Sequence, residues 1–160
     1  MGPDHVKKMN KKPIIFALAN PNPEISLADA KEGCPDAIMA TGRSDYPNQI
    51  NNVMCFPFLF RGTLDVRSRD INYAMKIACA EALAQLAREP TPKIVSDAYN
   101  GKEFVFGPDY IMPTPFDPRL ITTIPIAVAK AAMETGVATK PIEDWDAYKI
   151  ELQARVDEED

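Results

Sequence analysis

The sequence predicts an α/β fold, in which part of a doubly wound parallel sheet is followed by a helical C-terminal region. Two short, continuously apolar segments enclose one short helical segment, and this order is typical of a βαβ unit. Most of the chain after residue 56 shows the helical spacing of apolar residues. The chain has 160 residues, 46% of them hydrophobic, which predicts one compact domain or a piece of a larger one.

The first apolar segment, residues 13–19, is hydrophobic at successive positions and ends at the prolines of the next loop. A run that is apolar on both faces is typical of a central parallel strand that helices cover on both sides. Residues 26–33 predict a short helix, with Ser26 as its N-cap and Gly33 as the left-handed residue that terminates it.

The second apolar segment, residues 37–40, predicts a strand parallel to the first. Parallel neighbouring strands present their carboxyl ends at the same edge of a sheet, where ligands of open α/β sheets bind. The polar segments 20–24 and 41–52 leave these two strand ends. We therefore expect a ligand site at this edge.

The next two predicted helices cover much of the middle of the chain. Residues 47–56 predict the first of them, with Pro57 ending it. Asp70 predicts the N-cap of a longer helix that continues to about residue 88, before two prolines. The charged segment between these helices, residues 61–70, predicts a solvated or interface loop.

Two further helices are predicted at residues 93–99 and 118–135. Pro125 lies inside the second of them, so a kink or a break is expected there. Gly136 is predicted to terminate this helix. Between the two helices, the segment rich in proline predicts only brief extended pieces.

The C-terminal tail, residues 141–156, is predicted to be an amphipathic helix. A lone helix of this length is marginal in water, and an exposed apolar stripe is unusual, so we expect it to dock on a core or on a partner. The stripe consists of Trp145, Tyr148, Leu152 and Val156.

The composition excludes several classes of function. The net charge is −5 and the isoelectric point is near 5.0, which argues against binding to a nucleic-acid backbone. No apolar stretch approaches the ~20 residues that span a bilayer, and no signal peptide is indicated. We therefore expect a soluble, cytoplasmic protein without nucleic-acid or membrane partners.

The cysteines and the single histidine predict no metal or catalytic cluster. Cys34, Cys55 and Cys79 are far apart in sequence, so neither a zinc site nor a disulfide framework is indicated. They are interpreted as buried or inert thiols. His5 lies in a segment that is predicted to be flexible, which argues against a histidine-based triad or metal site. No metal-ligand spacing, glycine-rich dinucleotide motif or P-loop is present.

Three asparagines are the best candidates for ligand binding. Asn20 follows the first strand and is held by the two prolines after it, Pro21 and Pro23, so its amide could donate to a carboxylate or a ribose hydroxyl. A turn-forming role is the alternative. Asn51 and Asn52 are adjacent amides in an otherwise apolar stretch, where they are poor helix formers and need partners if buried.

Five segments of the sequence form recognisable motifs. They are IIFALANPNPEI at 14–25, ATGRSDYPNQINNV at 40–53, FPF at 56–58, RGTLDVR at 61–67 and FDPRL at 116–120. Together they resemble the NAD(P)-binding domain of malic enzymes of the shorter bacterial type. The resemblance covers about residues 10–150, with the motifs in the family's order.

This resemblance implies a division of the chain into two parts. Residues 10–90 would form the C-terminal half of a Rossmann-like NAD(P)-binding domain. Residues 91–160 would form a helical extension that packs on the rest of the enzyme or on a partner. The resemblance further implies an oligomer and a chain that is truncated, proteolysed or encoded by a split gene, lacking an N-terminal segment.

The resemblance also implies a reaction and roles for the candidate residues. Malic enzymes convert (S)-malate to pyruvate and CO2 with NAD or NADP, assisted by Mg2+ or Mn2+. Asn20, Asn51 and Asn52 would contact the substrate and the nicotinamide ribose. The family's catalytic Tyr and Lys, its metal ligands and its glycine-rich turn lie upstream of the matched region, so no catalytic or metal-binding residue is assigned here.

Two alternatives to a part of a malic enzyme remain open. One is a non-catalytic assembly or regulatory fragment of the same fold, because half a doubly wound sheet exposes an unpaired edge. The other is a different nicotinamide dehydrogenase. The paired asparagines and the Pro-Asn-Pro-Glu loop favour malic enzymes over it.

Overall fold

Residues 1–157 are described by the structure, a computed structural model, with side chains described to residue 155. Helices and two strands follow one another along this part of the chain, and a single 3-10 turn, Asn52–Met54, precedes the third helix. The elements are α1 Pro3–Val6, β1 Ile14–Ala17, α2 Leu27–Gly33, β2 Ile38–Thr41, α3 Phe56–Asp65, α4 Tyr73–Leu86, α5 Lys93–Ala98, α6 Leu120–Glu134 and α7 Trp145–Asp157.

The chain forms two compact units. The first unit consists of Met1–Asn51 and Ala87–Thr114, and the second of Asn52–Leu86 together with the chain from Pro115 onward. The first unit contains both strands, whereas the second unit is built from helices. None of the helices within residues 1–157 is long and apolar enough to cross a membrane.

The first unit contains the predicted βαβ arrangement. β1 and β2 pair in parallel, in a register that places Ile14 beside Ile38 and Ala17 beside Thr41. α2 connects them, and the Ser26 side chain accepts a hydrogen bond of 3.0 Å from the Asp29 N–H, as expected for an N-cap. These observations confirm an α/β fold with a two-stranded parallel sheet.

The end of α2 differs from the prediction. Gly33 is the last helical residue rather than a left-handed residue that follows the helix. A Cβ at this position would lie 2.6 Å from the backbone oxygen of Pro3 and 2.6 Å from the Cβ of Val6, both in α1. Glycine is therefore required by close packing. The segment around His5, predicted to be flexible, is the helix α1, because its Val6 is buried against α2.

One face of β1 is covered and the other is exposed. Ile15 and Ala17 are buried in a core that also contains Val6 and Met39. Ile14 and Phe16 point the other way and are 63% and 51% exposed. The sequence predicts that β1 is covered on both faces. Within the described residues, only the face with Ile15 and Ala17 is covered.

The helix predicted at residues 47–56 is absent, and the following helix begins where this one was expected to end. Pro57 occupies the first turn of α3 instead of terminating a helix. Proline is compatible with this position because the first N–H groups of a helix have no intrahelical acceptor. Arg61 and Asp65, predicted in a loop, lie four residues apart on α3 and form an ion pair.

The N-terminus of α4 also differs from the prediction. Asn72, rather than Asp70, caps this helix. The side-chain oxygen of Asn72 accepts a 3.1 Å hydrogen bond from the Met75 N–H in the first turn. Both residues are good caps, and the sequence does not separate two candidates that are two positions apart. The predicted helix at residues 93–99 is confirmed as α5.

A kink or a break was expected at Pro125, and helix α6 continues through this residue without a break. Proline removes one backbone donor from the helix, but the buried Pro125 packs against α3 at Gly62, where the absence of a side chain allows close approach. At the other end, Gly136 adopts φ +71 and its N–H donates to the Met133 oxygen, which confirms the predicted terminator.

Replacing Gly62 with alanine is expected to destabilise the protein by about 1–3 kcal/mol, despite alanine's higher helix propensity. A Cβ here would overlap the backbone oxygen of Pro125, which cannot move without displacing α6. Urea unfolding measures the change. Gly107→Ala is the control, because the nearest heavy atom to its Cβ would be 3.9 Å away. Equal stability of the two variants would contradict this packing.

The tail helix α7 packs within the second unit. Tyr148 and Leu152 of the predicted stripe are buried, and the Tyr148 hydroxyl donates a 2.8 Å hydrogen bond to Asp65 of α3. Burial, together with this bond, raises the pKa of Tyr148 above its ordinary value. The sequence predicts that this helix docks either on a core or on a partner. In the structure, Tyr148 and Leu152 are buried in the core of the chain itself. The side chain of Val156 lies outside the described residues.

Candidate functional site

The loop after β1 is closed by a carboxylate. The backbone N–H of Ala19 donates a 3.2 Å hydrogen bond to Oε2 of Glu24, which joins the two ends of the loop. Hydrogen bonds from the backbone N–H groups of Glu24 and Ala19 lower the pKa of the Glu24 carboxyl group. Asn20 is exposed within this loop, three residues beyond the end of β1. Its amide is available to a ligand at this edge of the sheet.

The loop after β2 returns to the end of the strand that it leaves. The Ile50 N–H donates a 2.7 Å hydrogen bond to the carbonyl oxygen of Thr41, the last residue of β2, and Gln49 forms a parallel bridge with the same residue. The Arg43 N–H donates to the Thr41 hydroxyl oxygen at 3.2 Å. Asn51, which follows Ile50 directly, is therefore held at the carboxyl edge of the sheet.

Asn48 organises this loop, a role that the sequence analysis missed. It is 5% exposed and has a φ of +55, a conformation that asparagine tolerates better than most residues. Its amide nitrogen donates to the carbonyl oxygens of Met39 and Pro108 at 2.8 and 2.7 Å, and its side-chain oxygen accepts from the Ile111 N–H at 2.8 Å. The only sequence signal for this role is that Asn48 is a polar residue directly after Pro47. The helix predicted over residues 47–56 includes Asn48, so the prediction gave it no role in a loop.

The paired asparagines precede α3 and belong to different units. Asn51 is half-buried and is the last residue of the first segment of unit one. Asn52 is exposed and begins the 3-10 turn in unit two, where its carbonyl oxygen accepts a 3.0 Å hydrogen bond from the Cys55 N–H. The structure thus places Asn20 and Asn51 at one edge of the sheet, and Asn52 next to Asn51 in sequence.

The charged residues of the second loop pair with one another. The Arg43 guanidinium donates to both carboxylate oxygens of Asp45, at 2.8 and 2.7 Å, and lies over the Tyr46 ring at 4.9 Å. This pairing raises the pKa of Arg43 and lowers that of Asp45. Both side chains are largely exposed, so the pair shapes the loop and contributes little to stability.

The second unit contains a cleft of about 530 Å³ that includes none of the predicted asparagines. Aromatic and proline side chains form much of its wall, and two arginines lie at its margin. Its lining residues are Pro57, Phe58, Arg61, Pro115, Phe116, Asp117, Pro118, Ile121 and Arg155.

The described residues suit a nicotinamide nucleotide in part and do not suit a metal ion. Amides at the carboxyl edge of a parallel sheet can donate hydrogen bonds to a ribose or a carboxylate. Among residues 1–157, no three His, Cys, Asp or Glu side chains are grouped so that they could hold a metal ion. We therefore derive no step that depends on a metal ligand from this chain.

Comparison with known families and sequences gives one consistent result. Residues 4–96 match the family model described as malic enzyme, NAD binding domain. An NADP-dependent malic enzyme of Rhizobium meliloti is 63% identical over 154 residues, which is 96% of this chain and 20% of that protein. An NADP-dependent malic enzyme of Escherichia coli is 60% identical over 89% of the chain and 19% of its own length.

Solved structures show the same relationship. The malic enzyme of Pyrococcus horikoshii matches 98% of this chain and 33% of its own, with 40% identity and a TM-score of 0.79. The Entamoeba histolytica malic enzyme matches 99% of this chain and 29% of its own, with 35% identity and a TM-score of 0.82. The chain thus spans about a fifth of the length of the curated relatives named above and about a third of these structures.

Proposed function

The chain belongs to the malic enzyme family, and from this premise we propose that it contributes to oxidative decarboxylation of (S)-malate to pyruvate and CO2. It would do so as part of a longer, cytoplasmic enzyme that uses NAD or NADP. The observation that carries the proposal is the placement of Asn20 and Asn51 at the carboxyl edge of the parallel sheet. Ligands of open α/β sheets bind at this edge.

The exposed face of β1 supports a longer enzyme. Ile14 and Phe16 place large apolar side chains in solvent next to a sheet of only two strands in the described chain. Burying such side chains is favourable by about 1.5–3 kcal/mol each. We propose that further sequence of the same enzyme covers this face and extends the sheet into a doubly wound, Rossmann-like domain. In that enzyme, residues 10–90 would complete the NAD(P)-binding domain and residues 91–160 would form its helical extension.

The three asparagines are proposed to bind and orient rather than to transfer protons. An amide is neutral throughout the physiological pH range, so it can donate to a malate carboxylate or a ribose hydroxyl without titrating. When bound, the nicotinamide supplies the hydride acceptor. The loops fixed by Glu24 and Asn48 hold Asn20 and Asn51 in place, which lowers the entropy lost when a ligand is oriented. The proton-transfer groups and the Mg2+ or Mn2+ ligands are proposed to come from other parts of the enzyme.

In the complete enzyme, Asn51→Ala or Asn52→Ala is expected to lower kcat/KM for malate or NAD(P)+ by about 5- to 150-fold, corresponding to about 1–3 kcal/mol. The reason is the loss of one amide contact to a bound ligand. Steady-state kinetics with each substrate varied in turn measures the effect. Asn10→Ala is the control, since Asn10 is exposed and lies outside both loops. If kcat and KM are unchanged in both site variants and both variants fold, Asn51 and Asn52 have a structural role and do not bind the ligand.

Asn48→Ala separates a positioning effect from a ligand contact. It removes three hydrogen bonds, one buried and two partly buried, and should therefore lower thermal stability. The variants at Asn51 and Asn52 should not lower it to the same extent. Thermal unfolding of the three variants, measured beside the kinetics, distinguishes the two roles.

A non-catalytic assembly fragment is the second candidate function. The exposed apolar face of β1 favours it as well, because that face could receive another protein. The two candidates differ in what Asn51 does. The enzyme requires it for turnover, whereas an assembly fragment would tolerate its loss whenever the fold is kept.

A further inference from the structure

Two cysteines that are distant in sequence meet in the second unit. Cys55 precedes the first residue of α3, and Cys79 lies within α4. Their sulfur atoms are 3.3 Å apart and share a hydrogen bond. The S–S bond of a disulfide is about 2.05 Å long, so the two sulfurs need to approach by only about 1.2 Å to form one.

The two thiols differ in access and in acidity. Cys55 is half-buried, whereas Cys79 is 2% exposed. The hydrogen bond between the two thiols lowers the pKa of Cys55, while the same bond, together with burial, raises the pKa of Cys79. The lower pKa favours the thiolate of Cys55, which is the form of a cysteine that reacts with oxidants.

We propose that Cys55 and Cys79 form a reversible thiol–disulfide modification site that responds to hydrogen peroxide. The Cys55 thiolate attacks one peroxide oxygen, the O–O bond breaks, and the released hydroxide takes up a proton to become water. The resulting sulfenic acid is attacked by the Cys79 sulfur. The S–S bond forms, the S–O bond breaks, and the hydroxyl leaves as water with the Cys79 proton. Two thiols and one peroxide thus give one disulfide and two waters.

The disulfide would act next to a candidate ligand residue. The Cys55 N–H donates to the carbonyl oxygen of Asn52, so the sulfur bond would tie the 3-10 turn that begins at Asn52 to the middle of α4. We expect oxidation to change the affinity for malate or nucleotide through this turn. That consequence rests on the proposed function, whereas formation of the disulfide does not.

Peptide mapping of the native-length protein tests the proposal. Trypsin places the three cysteines of this chain on separate peptides, residues 32–43, 44–61 and 77–88. After brief treatment of the folded protein with hydrogen peroxide at neutral pH, peptide 44–61 is expected to be linked to peptide 77–88, with the loss of two hydrogens. Dithiothreitol should release the two peptides.

Three variants make the result specific. Cys34→Ser should leave the link unchanged, since Cys34 lies in the first unit. Cys55→Ser should abolish it. Cys79→Ser should leave the sulfenic acid of Cys55 without its resolving thiol, so that dimedone labels Cys55 many times faster than it labels Cys34.

Two results would overturn the modification site. One is peroxide oxidation of Cys34 while Cys55 and Cys79 remain thiols. The other is a Cys55–Cys79 link that forms only after unfolding in urea. Kinetics of the oxidised enzyme gives a separate answer, because a complete disulfide with unchanged kcat and KM would overturn only its effect on ligand binding.

Discussion

Replacing Leu152 with alanine is expected to lower the free energy of unfolding by about 2–5 kcal/mol, the usual cost of removing a large side chain from a core. Leu152 is completely buried on α7, and the same helix places Tyr148 against Asp65 of α3. Loss of the leucine side chain leaves a cavity that the surrounding residues fill only in part. Urea unfolding, followed by far-UV circular dichroism, measures the loss.

The same helix offers a matched control for Leu152. Ile150 is 71% exposed, so Ile150→Ala is expected to change the free energy of unfolding by no more than about 0.5 kcal/mol. The contrast tests which face of α7 is packed. Equal effects of the two substitutions would show that the tail helix does not dock as the structure describes.

Replacing Asp117 with alanine is expected to lower the free energy of unfolding by about 3–5 kcal/mol, because it removes the completely buried carboxylate of an ion pair. The Asp117 carboxylate is completely buried and accepts from the Arg119 side chain at 3.0 and 2.7 Å. It also accepts from the Arg119 N–H at 3.0 Å, just before α6 begins. The substitution therefore removes the ion pair and this hydrogen bond to the backbone together.

Asp45 is the natural control for Asp117. It also pairs through both carboxylate oxygens with an arginine two residues away, Arg43, but its side chain is 56% exposed. Water replaces the lost partner at such a site, so Asp45→Ala should not measurably change stability. A similar loss in both variants would contradict the burial of the Asp117 pair. Urea unfolding of the two proteins in the same buffer decides between these outcomes.

Local signals in the sequence predicted the parts of the fold that depend on neighbouring residues. The two continuous apolar runs predicted β1 and β2, because short apolar runs that end at turn-forming residues are typical of strands. Ser26 and Gly136 were identified correctly because an N-cap and a left-handed terminator depend on the first and last turns of their own helices.

Features that depend on distant contacts could not be predicted in this way. Proline is found both after a helix and in its first turn, and only the start of α3 shows which applies at Pro57. Gly33 had the appearance of a helix terminator, but the reason for glycine is the approach of α1. Likewise, Pro125 stays inside α6, which packs closely against Gly62.

The candidate site was predictable in outline. The sequence placed Asn20 and Asn51 after two parallel strands, and the structure holds them at that edge of the sheet. Their contacts with malate and nicotinamide come from the family resemblance and remain predictions. Asn48 was missed because the sequence does not show which of several neighbouring asparagines is buried, and only the folded loop brings Pro108 and Ile111 to it.

The central claim is that this chain supplies only part of the active site and that other parts of the enzyme supply the rest. The most direct test is to measure malate-dependent reduction of NAD(P)+ by these 160 residues alone. The assay contains Mg2+ or Mn2+, and the complete enzyme serves as the positive control. The family resemblance implies that the proton-transfer pair and the metal ligands lie in other parts of the enzyme, so we predict no rate above that of a protein-free blank. Turnover by the isolated chain that depends on malate and on the metal would contradict the account.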